Sequence, residues 1–472
     1  MNDSLSALPQ GKSSPVFFLR LAGHVFFLLL FLLAMVYAVE RVSHVDAAWQ
    51  FWERVNGGTF VYPESRYGVI LSELPLWLAV KAGLPFNALV YINSGSYIVL
   101  YYGIWLLCVY RLKNMAAGTA VLFALCLGIK LTFLHTVTES HQAIIFSVLL
   151  FAVLNSEVIK KRSLHILFSL AATILVLLTH PFALFTAGFA AAWQMVVSRK
   201  FRSPAPWLVF ALVAGFSLFR FLTAGEHSYD ATHYDHLKSV PALELLSQGS
   251  YFIKIFGGYF AQLYWLPSLV FIITVILMVR RRDWLKLSVF SGALFFYIIV
   301  AAITFYNGDS LQMMERAWLP PFFMLSLAFA GQLAVPEIKP AYVMKIMPVL
   351  FLFGGLLLIN QGCIVFRKRA EYYYAMMEQG MKLGADQVII PDKKMNTGRI
   401  QAAWAMGTES LVLSTFRFGK SMTIIPQSQL KTHTPGFYMI NDVDSMHVNM
   451  LNPKYFQLSG NGYVLLTEPV KE

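Results

Sequence analysis

Four polar residues that can do chemistry follow the first long apolar run of the chain. They are His44, Asp46, Gln50 and Glu53. If this stretch is a helix, Asp46, Gln50 and Glu53 share one face, because they are spaced by i, i+4 and i+7. A carboxylate beside an imidazole can act as a general base on a hydroxyl group or help to bind a divalent cation. The same spacing is typical of a helix that lies on a membrane surface with a solvated polar face, so spacing alone leaves both interpretations open.

Further polar groups occur between later apolar runs, where they can meet the first four. They are Glu139 and His141 after the third run, His180 between the fifth and sixth, and Asp309, Glu315 and Arg316 before the tenth. Each can line one shared site, and each can also be an ordinary residue of a polar loop. His180 precedes Pro181, and a residue before proline often ends a helix.

Four basic residues near the predicted outer ends of helices give a second signal. They are Lys130, Arg220, Lys254 and Arg316. A lipid that bears a phosphate needs cationic hydrogen-bond donors at this depth, and Arg can bind a phosphate through two parallel bonds. Long basic side chains at helix ends also extend towards phospholipid headgroups without a specific ligand. We hypothesise that some of the four bind the phosphate of a lipid carrier.

Within the segment 224–250, residues 226–236 combine three histidines with three acids. They are Glu226, His227, Asp230, His233, Asp235 and His236. Such residues can bind a metal, but the spacing His233-x-x-His236 matches no specific zinc signature. The only cofactor that we expect is a divalent cation such as Mg or Mn, and its ligands stay unassigned.

The composition indicates that lipid is the main solvent of this chain. Its 472 residues are 57% hydrophobic and 13% charged, with a mean hydropathy of +0.59, whereas soluble domains carry about 25% charged residues. The net charge of +12 does not indicate nucleic acid, because the basic residues form short clusters between apolar runs. The three cysteines are far apart and predict no disulfide framework.

Eleven apolar runs are candidates for helices that cross a membrane, which takes about 20 residues for a core of about 30 Å. They lie near residues 15–39, 88–110, 115–134, 142–158, 164–180, 182–198, 205–223, 264–280, 284–305, 319–335 and 342–360. The first run has no small-residue cleavage site after it, so we interpret it as a retained helix. The sequence therefore predicts a mainly α fold, a polytopic bundle of about eleven transmembrane helices.

The distribution of Lys and Arg predicts the orientation of this bundle, because cytoplasmic loops are enriched in both. With a cytoplasmic N-terminus, the inner loops contain the basic residues at 111–113, 160–162, 199–202, 280–282 and 337–339. The outer loops are then 40–87, 135–141, 224–250 and 306–318. An odd number of spans also places the C-terminal part outside. We predict a transmembrane domain over residues 1–365 and an extracytoplasmic domain over residues 366–472.

The C-terminal part loses the apolar character and has the pattern of a small α/β domain. Residues 368–383 have helical spacing, and residues 387–390 and 422–425 have the pattern of strands. Gly460-Asn461-Gly462 between two apolar stretches predicts a hairpin turn.

The acid after the first span, the number of spans and the outer C-terminal domain together resemble the GT-C superfamily of integral membrane glycosyltransferases. Its members transfer a sugar from a polyprenyl-phosphate carrier at the outer face of the membrane, with the loop acid as the catalytic base. Some carry His-x-Asp-Glu, then a Gln, an acid and an Arg. The matching positions are His44, Asp46, Gln50, Glu53 and Arg66. Ala47 stands where those proteins have Glu, which leaves the metal requirement and the exact family open.

The resemblance implies a GT-C-like glycosyltransferase of the cell envelope that moves a sugar from a polyprenyl phosphate to an acceptor hydroxyl, at the outer face of a bacterial inner (plasma) membrane. The expected partners are the lipid-linked donor, a glycan, lipid or protein acceptor and the membrane, without nucleic acid. The candidate catalytic residues are Asp46, Glu139 and His141, with Asp46 as the base. The candidate phosphate-binding residues are Lys130, Arg220, Lys254 and Arg316. The candidate substrate-binding residues are His44, Gln50, Glu53, Arg66, His180 and Asp309.

Two alternatives come from other classes of membrane protein. A transporter or lipid flippase is often built from repeated halves with ionisable residues near the bilayer centre, but this chain shows no matching halves and its polar groups are predicted on one face. A polysaccharide polymerase or O-antigen ligase is expected to have its signature in a large, late outer loop, whereas the informative acid here follows the first span.

Overall fold

The computed structural model describes residues 15–62, 66–136, 139–223, 263–305, 311–333, 341–400, 402–430, 436–441 and 444–466. Fifteen α-helices lie in these residues. The first four are α1 (Pro15–Val36), α2 (Ala38–Val42), α3 (Asp46–Gly57) and α4 (Ile70–Lys81). The next six are α5 (Phe86–Leu106), α6 (Met115–Ala124), α7 (Glu139–Leu154), α8 (Arg162–Leu177), α9 (Ala183–Ser198) and α10 (Pro204–Thr223). The last five are α11 (Trp265–Arg280), α12 (Trp284–Thr304), α13 (Leu311–Leu333), α14 (Ala341–Lys382) and α15 (Met406–Phe418).

The prediction of a mainly α fold is confirmed, and each of the eleven apolar runs overlaps one of these helices. Four helical segments in the described part are long and apolar enough to cross a membrane, by length and composition. They are Phe17–Val36, Phe86–Arg111, Trp284–Thr304 and Ile346–Lys382. Six other apolar helices have only 10–17 residues. Since a helix rises 1.5 Å per residue, 16 residues extend only about 24 Å, less than a typical hydrocarbon core.

The run 115–134 shows why an apolar run can exceed its helix. The sequence predicts one span there, but α6 ends at Ala124 and the chain continues as a turn and a loop. Gly128 has a φ of 74°, and a Cβ at this position would lie 1.9 Å from the ring of Phe322. Inside a membrane, non-helical backbone is tolerated only where protein groups satisfy its N–H and C=O groups.

The helix α7 lies inside the helical bundle. It packs against five helices, α5, α6, α8, α9 and α13, and nearly all of its residues are buried. The same core contains the almost fully buried side chains of Trp105, Trp193 and Phe323. Glu139 and His141, on the first turn of α7, are therefore enclosed by protein.

The C-terminal part contains two small groups of strands. β1 (Gln387–Ile390) is the central strand of a parallel sheet, between β2 (Thr423–Pro426) and β5 (Val464–Leu465). β3 (Phe437–Met439) and β4 (Ser445–His447) form an antiparallel pair. The helix α15 packs against β2.

These elements confirm the predicted strands at 387–390 and 422–425, and the predicted helix at 368–383 is the last part of α14. The hairpin turn predicted at 460–462 is wrong. The strand that follows it, β5, pairs in parallel with β1. Gly460 instead accepts a hydrogen bond of 2.7 Å from the N–H of Gly436, and both glycines have positive φ, which glycine adopts without strain.

A second hydrophobic core joins the first predicted outer loop to the C-terminal part. Its buried members from α2 to α5 include Val42, Phe51, Val55, Leu76 and Leu89, and those from α14 onward include Tyr373, Met376, Val388, Leu411 and Ile424. The helix α3 packs directly against α15. The predicted domain boundary at residues 365 and 366 falls inside α14, which continues as one helix to Lys382.

Candidate functional site

The helix α3 begins at Asp46, directly after a turn at Val45 with a φ of 44° and a ψ of −121°. The prediction of a helix in this stretch is confirmed. A carboxylate in the first turn is favourable because the helix N-terminus carries a partial positive charge. Of the Asp46 side chain, 41% is exposed. This acid is therefore accessible to a solute, although the helix behind it packs in the second core.

The Asp46 carboxylate meets two basic side chains from other parts of the chain. Its Oδ2 atom lies 3.7 Å from Nη2 of Arg316 and 4.0 Å from Nε2 of His135. Arg316 also forms hydrogen bonds with the His135 ring. Burial lowers the pKa of His135, and the positive charge of Arg316 lowers it further. His135 is therefore a neutral imidazole between a cation and a carboxylate.

Glu315, next to Arg316 on α13, fixes the loop after α6. Its buried carboxylate accepts hydrogen bonds from the N–H groups of Lys130, Leu131 and Thr132 at 2.8, 3.0 and 2.9 Å. It also accepts one of 2.5 Å from the Thr132 hydroxyl. These bonds satisfy the non-helical backbone that follows α6. They hold the loop that contains His135 against the first turns of α13.

His141 is connected to this loop through Thr132. The Thr132 Oγ1 atom lies 3.3 Å from Nε2 of His141 and also bonds to Glu315. Both residues line a small pocket of about 20 Å³, together with Arg41, Tyr97, Tyr101 and His135. A space of this volume holds about one water molecule.

Three arginines lie near a third histidine, His180. Arg66 pairs with the buried Glu139 at 3.7 Å, from Nη1 to Oε2. Burial and, after it, the charges of Arg66, Arg316 and Arg220 lower the pKa of His180. Arg220 lies in the last turn of α10 and over the ring of Phe216, 5.6 Å from its centre. These predicted cations therefore lie in one part of the structure, where Glu139 pairs with Arg66 and Asp46 pairs with Arg316.

No family model, curated protein or solved structure matches this chain. The chemistry of the site is therefore argued from its own residues. An accessible carboxylate at Asp46 can accept a proton, and positively charged groups nearby can stabilise an anion. Lys130 is half-buried and contributes its backbone N–H to Glu315.

His44 lies behind Asp46 and is fully buried. Its ring meets the His135 ring edge-on, with 5.5 Å between the ring centres. Its Nδ1 atom lies 3.7 Å from Oε1 of Glu409 on α15. His44 therefore contacts protein groups on both sides, and its role in substrate binding stays a prediction.

Gln50 and Glu53 lie near a buried ion pair. Gln50 accepts a hydrogen bond of 2.8 Å from Arg54, which also pairs with Glu73. Burial raises the pKa of Glu73 to about 7, against the opposite effect of Arg54. Burial also raises the pKa of Glu53, which is half-buried. Gln50 thus stabilises the packing of α3 against α4, and contact of either residue with a substrate stays a prediction.

Two residues of this site are not among those predicted from the sequence. His135 only marks the start of a predicted outer loop, although an imidazole in the same loop as His141 is a usable signal. Glu409 lies in the C-terminal part, 364 positions from its hydrogen-bond partner Val45. No local pattern in the sequence identifies a contact of this separation.

Two candidate residues, Lys254 and Asp309, lie outside the described residues, as do the histidines and acids of 224–250. In the parts of the chain that the structure describes, no group of three or more His, Cys, Asp or Glu residues is placed to hold a metal ion. The expectation of a Mg or Mn ion stays a prediction.

Proposed function

We propose that this chain is a membrane glycosyltransferase of the GT-C type, which moves a sugar from a polyprenyl-phosphate carrier to an acceptor hydroxyl. The observation that carries the proposal is the accessible carboxylate of Asp46 at the start of α3, 3.7 Å from Arg316. This pairing combines a proton acceptor with a cation that can bind the leaving phosphate.

The proposed architecture is a bundle of about eleven spans with a cytoplasmic N-terminus and an outer C-terminal domain, in a bacterial inner membrane. Support comes from the six short apolar helices, of which α6, α7, α9 and α11 pack against the four longer segments. A bilayer can thin locally around short helices at a modest cost. The basic inner loops support the orientation.

In the proposed reaction, the acceptor oxygen attacks the anomeric carbon of the sugar and a new C–O bond forms. The proton of the hydroxyl passes to the Asp46 carboxylate. The bond between the anomeric carbon and the phosphate oxygen breaks, and polyprenyl phosphate leaves with the bonding electrons. A positioned general base contributes about 10²- to 10⁴-fold to such a step.

The leaving phosphate gains negative charge in the transition state, so cations aimed at it accelerate the reaction. Arg316 is the first candidate because it contacts Asp46 directly. Arg66 and Arg220 are the next candidates, since their charges, like that of Arg316, lower the pKa of His180. Lys130 and Lys254 retain their proposed roles as phosphate ligands.

Glu139 and His141 act in this proposal through the groups that they hold. Glu139 pairs with Arg66 and so holds the Arg66 guanidinium near His180. His141 contacts Thr132, whose backbone and hydroxyl are bound by Glu315. Both residues therefore fix the positions of groups on two sides of the site.

The proposal is tested by transfer from radiolabelled polyprenyl-phosphate sugars in purified membranes. Asp46→Asn retains the shape of the side chain and removes the base, so transfer should fall at least 10²-fold. The matched control is Asp283→Asn, which changes the residue before α12 and weakens its ion pair with Lys286, a kind of pair that contributes about 0–1 kcal/mol near a surface. Full transfer by Asp46→Asn would rule out the assignment. Movement of the labelled lipid across the membrane without transfer would favour a transporter or flippase.

A further inference from the structure

The C-terminal part reaches the turn before Asp46 through one buried carboxylate, that of Glu409 on α15. Its Oε1 atom accepts a hydrogen bond of 2.7 Å from the N–H of Val45. Its Oε2 atom accepts hydrogen bonds from Arg369 and from the hydroxyl of Tyr373, both on α14. Glu409 is completely buried, so these bonds are shielded from solvent.

Val45 is the residue whose conformation most needs such support. Its φ of 44° lies in the region that side chains disfavour, and a β-branched residue there is strained. A strained residue persists only where its surroundings hold it, and such residues cluster at functional sites. The C=O of Val45 already accepts a hydrogen bond of 3.0 Å from Ala48 in the first turn of α3. Glu409 holds the other side of the same residue through its N–H.

A second connection runs from Glu409 to the site through side chains. The Nδ1 atom of His44 lies 3.7 Å from Oε1 of Glu409. The His44 ring packs edge-on against His135, which lies 4.0 Å from Asp46. Glu409 therefore lies against both the backbone of Val45, which orients Asp46, and the ring of His44, which packs against His135.

The charge of Glu409 is retained despite its burial. Burial alone would raise the pKa of this carboxyl, but Arg369 and the nearby His44 lower it to about 2. A buried ion pair is seldom the most stable way to fill a core, since apolar residues of similar volume often stabilise as well or better. The second core around α15 is otherwise rich in apolar side chains. A charged acceptor at this place therefore fits a positioning role better than simple packing.

We propose that Glu409 is a positioning residue of the C-terminal part, which holds the strained turn at Val45 and so directs Asp46 towards Arg316 and His135. The proposal rests on the proposed function for the role of Asp46. In this proposal the C-terminal part positions Asp46, in addition to any contact with the acceptor.

The first test replaces Glu409 by Gln in the full chain in lipid nanodiscs. Val45 and Arg369 bind different oxygens of Glu409, and Gln replaces one of these oxygens with an NH2 group, so it cannot accept from both donors in their present positions. Amide hydrogen exchange at residue 45, followed by mass spectrometry, should become at least tenfold faster. The kcat of transfer should fall at least tenfold, with the KM for the donor changed less than twofold. Glu378→Gln, an exposed carboxylate on α14, is the matched control and should change none of these values.

The second test is rescue by Val45→Gly. Glycine adopts positive φ without strain, so the turn no longer needs the full support of Glu409. The double variant Val45→Gly/Glu409→Gln should therefore recover at least fivefold of the lost kcat. A Glu409 that only stabilises the C-terminal part would gain nothing from this change, and absence of rescue overturns the proposal.

The exchange measurement separates this inference from the proposed function. If the wild type transfers no sugar, the proposed function fails, and the exchange rate at residue 45 still reports whether Glu409 holds the turn. Unchanged exchange in folded Glu409→Gln protein overturns the inference even if transfer by the wild type is established. If Glu409→Gln folds poorly, Tyr373→Phe is the second variant, because it removes one donor to Oε2. Exchange at residue 45 should stay slow, since Oε1 still accepts from Val45. Fast exchange at residue 45 would contradict the geometry.

Discussion

Replacement of Arg316 by Ala is predicted to impair transfer by removing the cation closest to the proposed base. Only 12% of the Arg316 side chain is exposed, so its charge is poorly screened by solvent. A hydrogen bond to a charged group contributes about 1.5–3 kcal/mol. Loss of one such bond to the phosphate gives about 1.5–3 kcal/mol, which is roughly 12- to 160-fold in kcat/KM.

Arg316→Lys refines this prediction. Lys retains the positive charge but offers a point charge instead of a planar fork, so it cannot contact Asp46, His135 and a phosphate in the same way. We expect it to recover no more than about tenfold of the loss. In both Arg316 variants, kcat and kcat/KM should fall by similar factors, because the phosphate gains charge mainly in the transition state.

The assay is initial-rate transfer over a range of donor concentrations, with purified protein in nanodiscs. Arg417→Ala, an exposed arginine on α15, is the matched control and should retain wild-type kinetics. Wild-type kcat and kcat/KM in well-folded Arg316→Ala protein would refute the assignment of Arg316 to the phosphate.

Three further predictions concern the groups that position the site. Glu315→Gln leaves backbone N–H groups of the loop after α6 without an acceptor, and should lower the free energy of unfolding by about 1–3 kcal/mol, measured by thermal and denaturant unfolding. Gly362→Ala places a Cβ 2.2 Å from the carbonyl oxygen of Lys130 and should lower the unfolding midpoint and the rate of transfer, whereas Gly215→Ala, with open space around it, should lower neither. The pKa of Glu409 is lowered to about 2 from 4.5, so its ionisation stabilises the fold by about 3 kcal/mol above pH 5. This stability is lost as the pH falls from about 4.5 to 2, and the Glu409→Gln variant should lack that part of the acid destabilisation. An equal loss of stability in both proteins would contradict the assignment.

Eleven of the fifteen described helices follow from the sequence because each overlaps a long apolar run, and α3 follows from its amphipathic spacing. The helices α2, α4 and α15 were not predicted. The ends of the helices do not follow from the apolar runs, as α6 demonstrates. The apolar residues continue to position 134, but the carboxylate of Glu315 satisfies the loop backbone from 130 to 132, so that stretch does not need to be helical. The acceptor lies almost two hundred positions away in the sequence, and no window of local hydropathy includes it.

The candidate site was predictable only where residues lie near one another in the sequence or at one membrane depth. Asp46 was identified by its place after the first span, and Arg316 by its place before a later one, and the structure brings them to 3.7 Å. Helical spacing placed Gln50 on the face of Asp46, but spacing does not reveal what covers a face. Here Arg54 donates a hydrogen bond to Gln50, so the amide is used inside the protein.

The most direct measurement of the central claim is transfer to azide by Asp46→Ala protein. Azide attacks the anomeric carbon without losing a proton, so it does not need a base, whereas a hydroxyl acceptor does. The account predicts that Asp46→Ala forms the glycosyl azide at a rate close to that of the wild type, while its transfer to the hydroxyl acceptor is at least 10²-fold slower. Equal losses with both acceptors, or undiminished transfer to the hydroxyl, would contradict the role of Asp46 as the base.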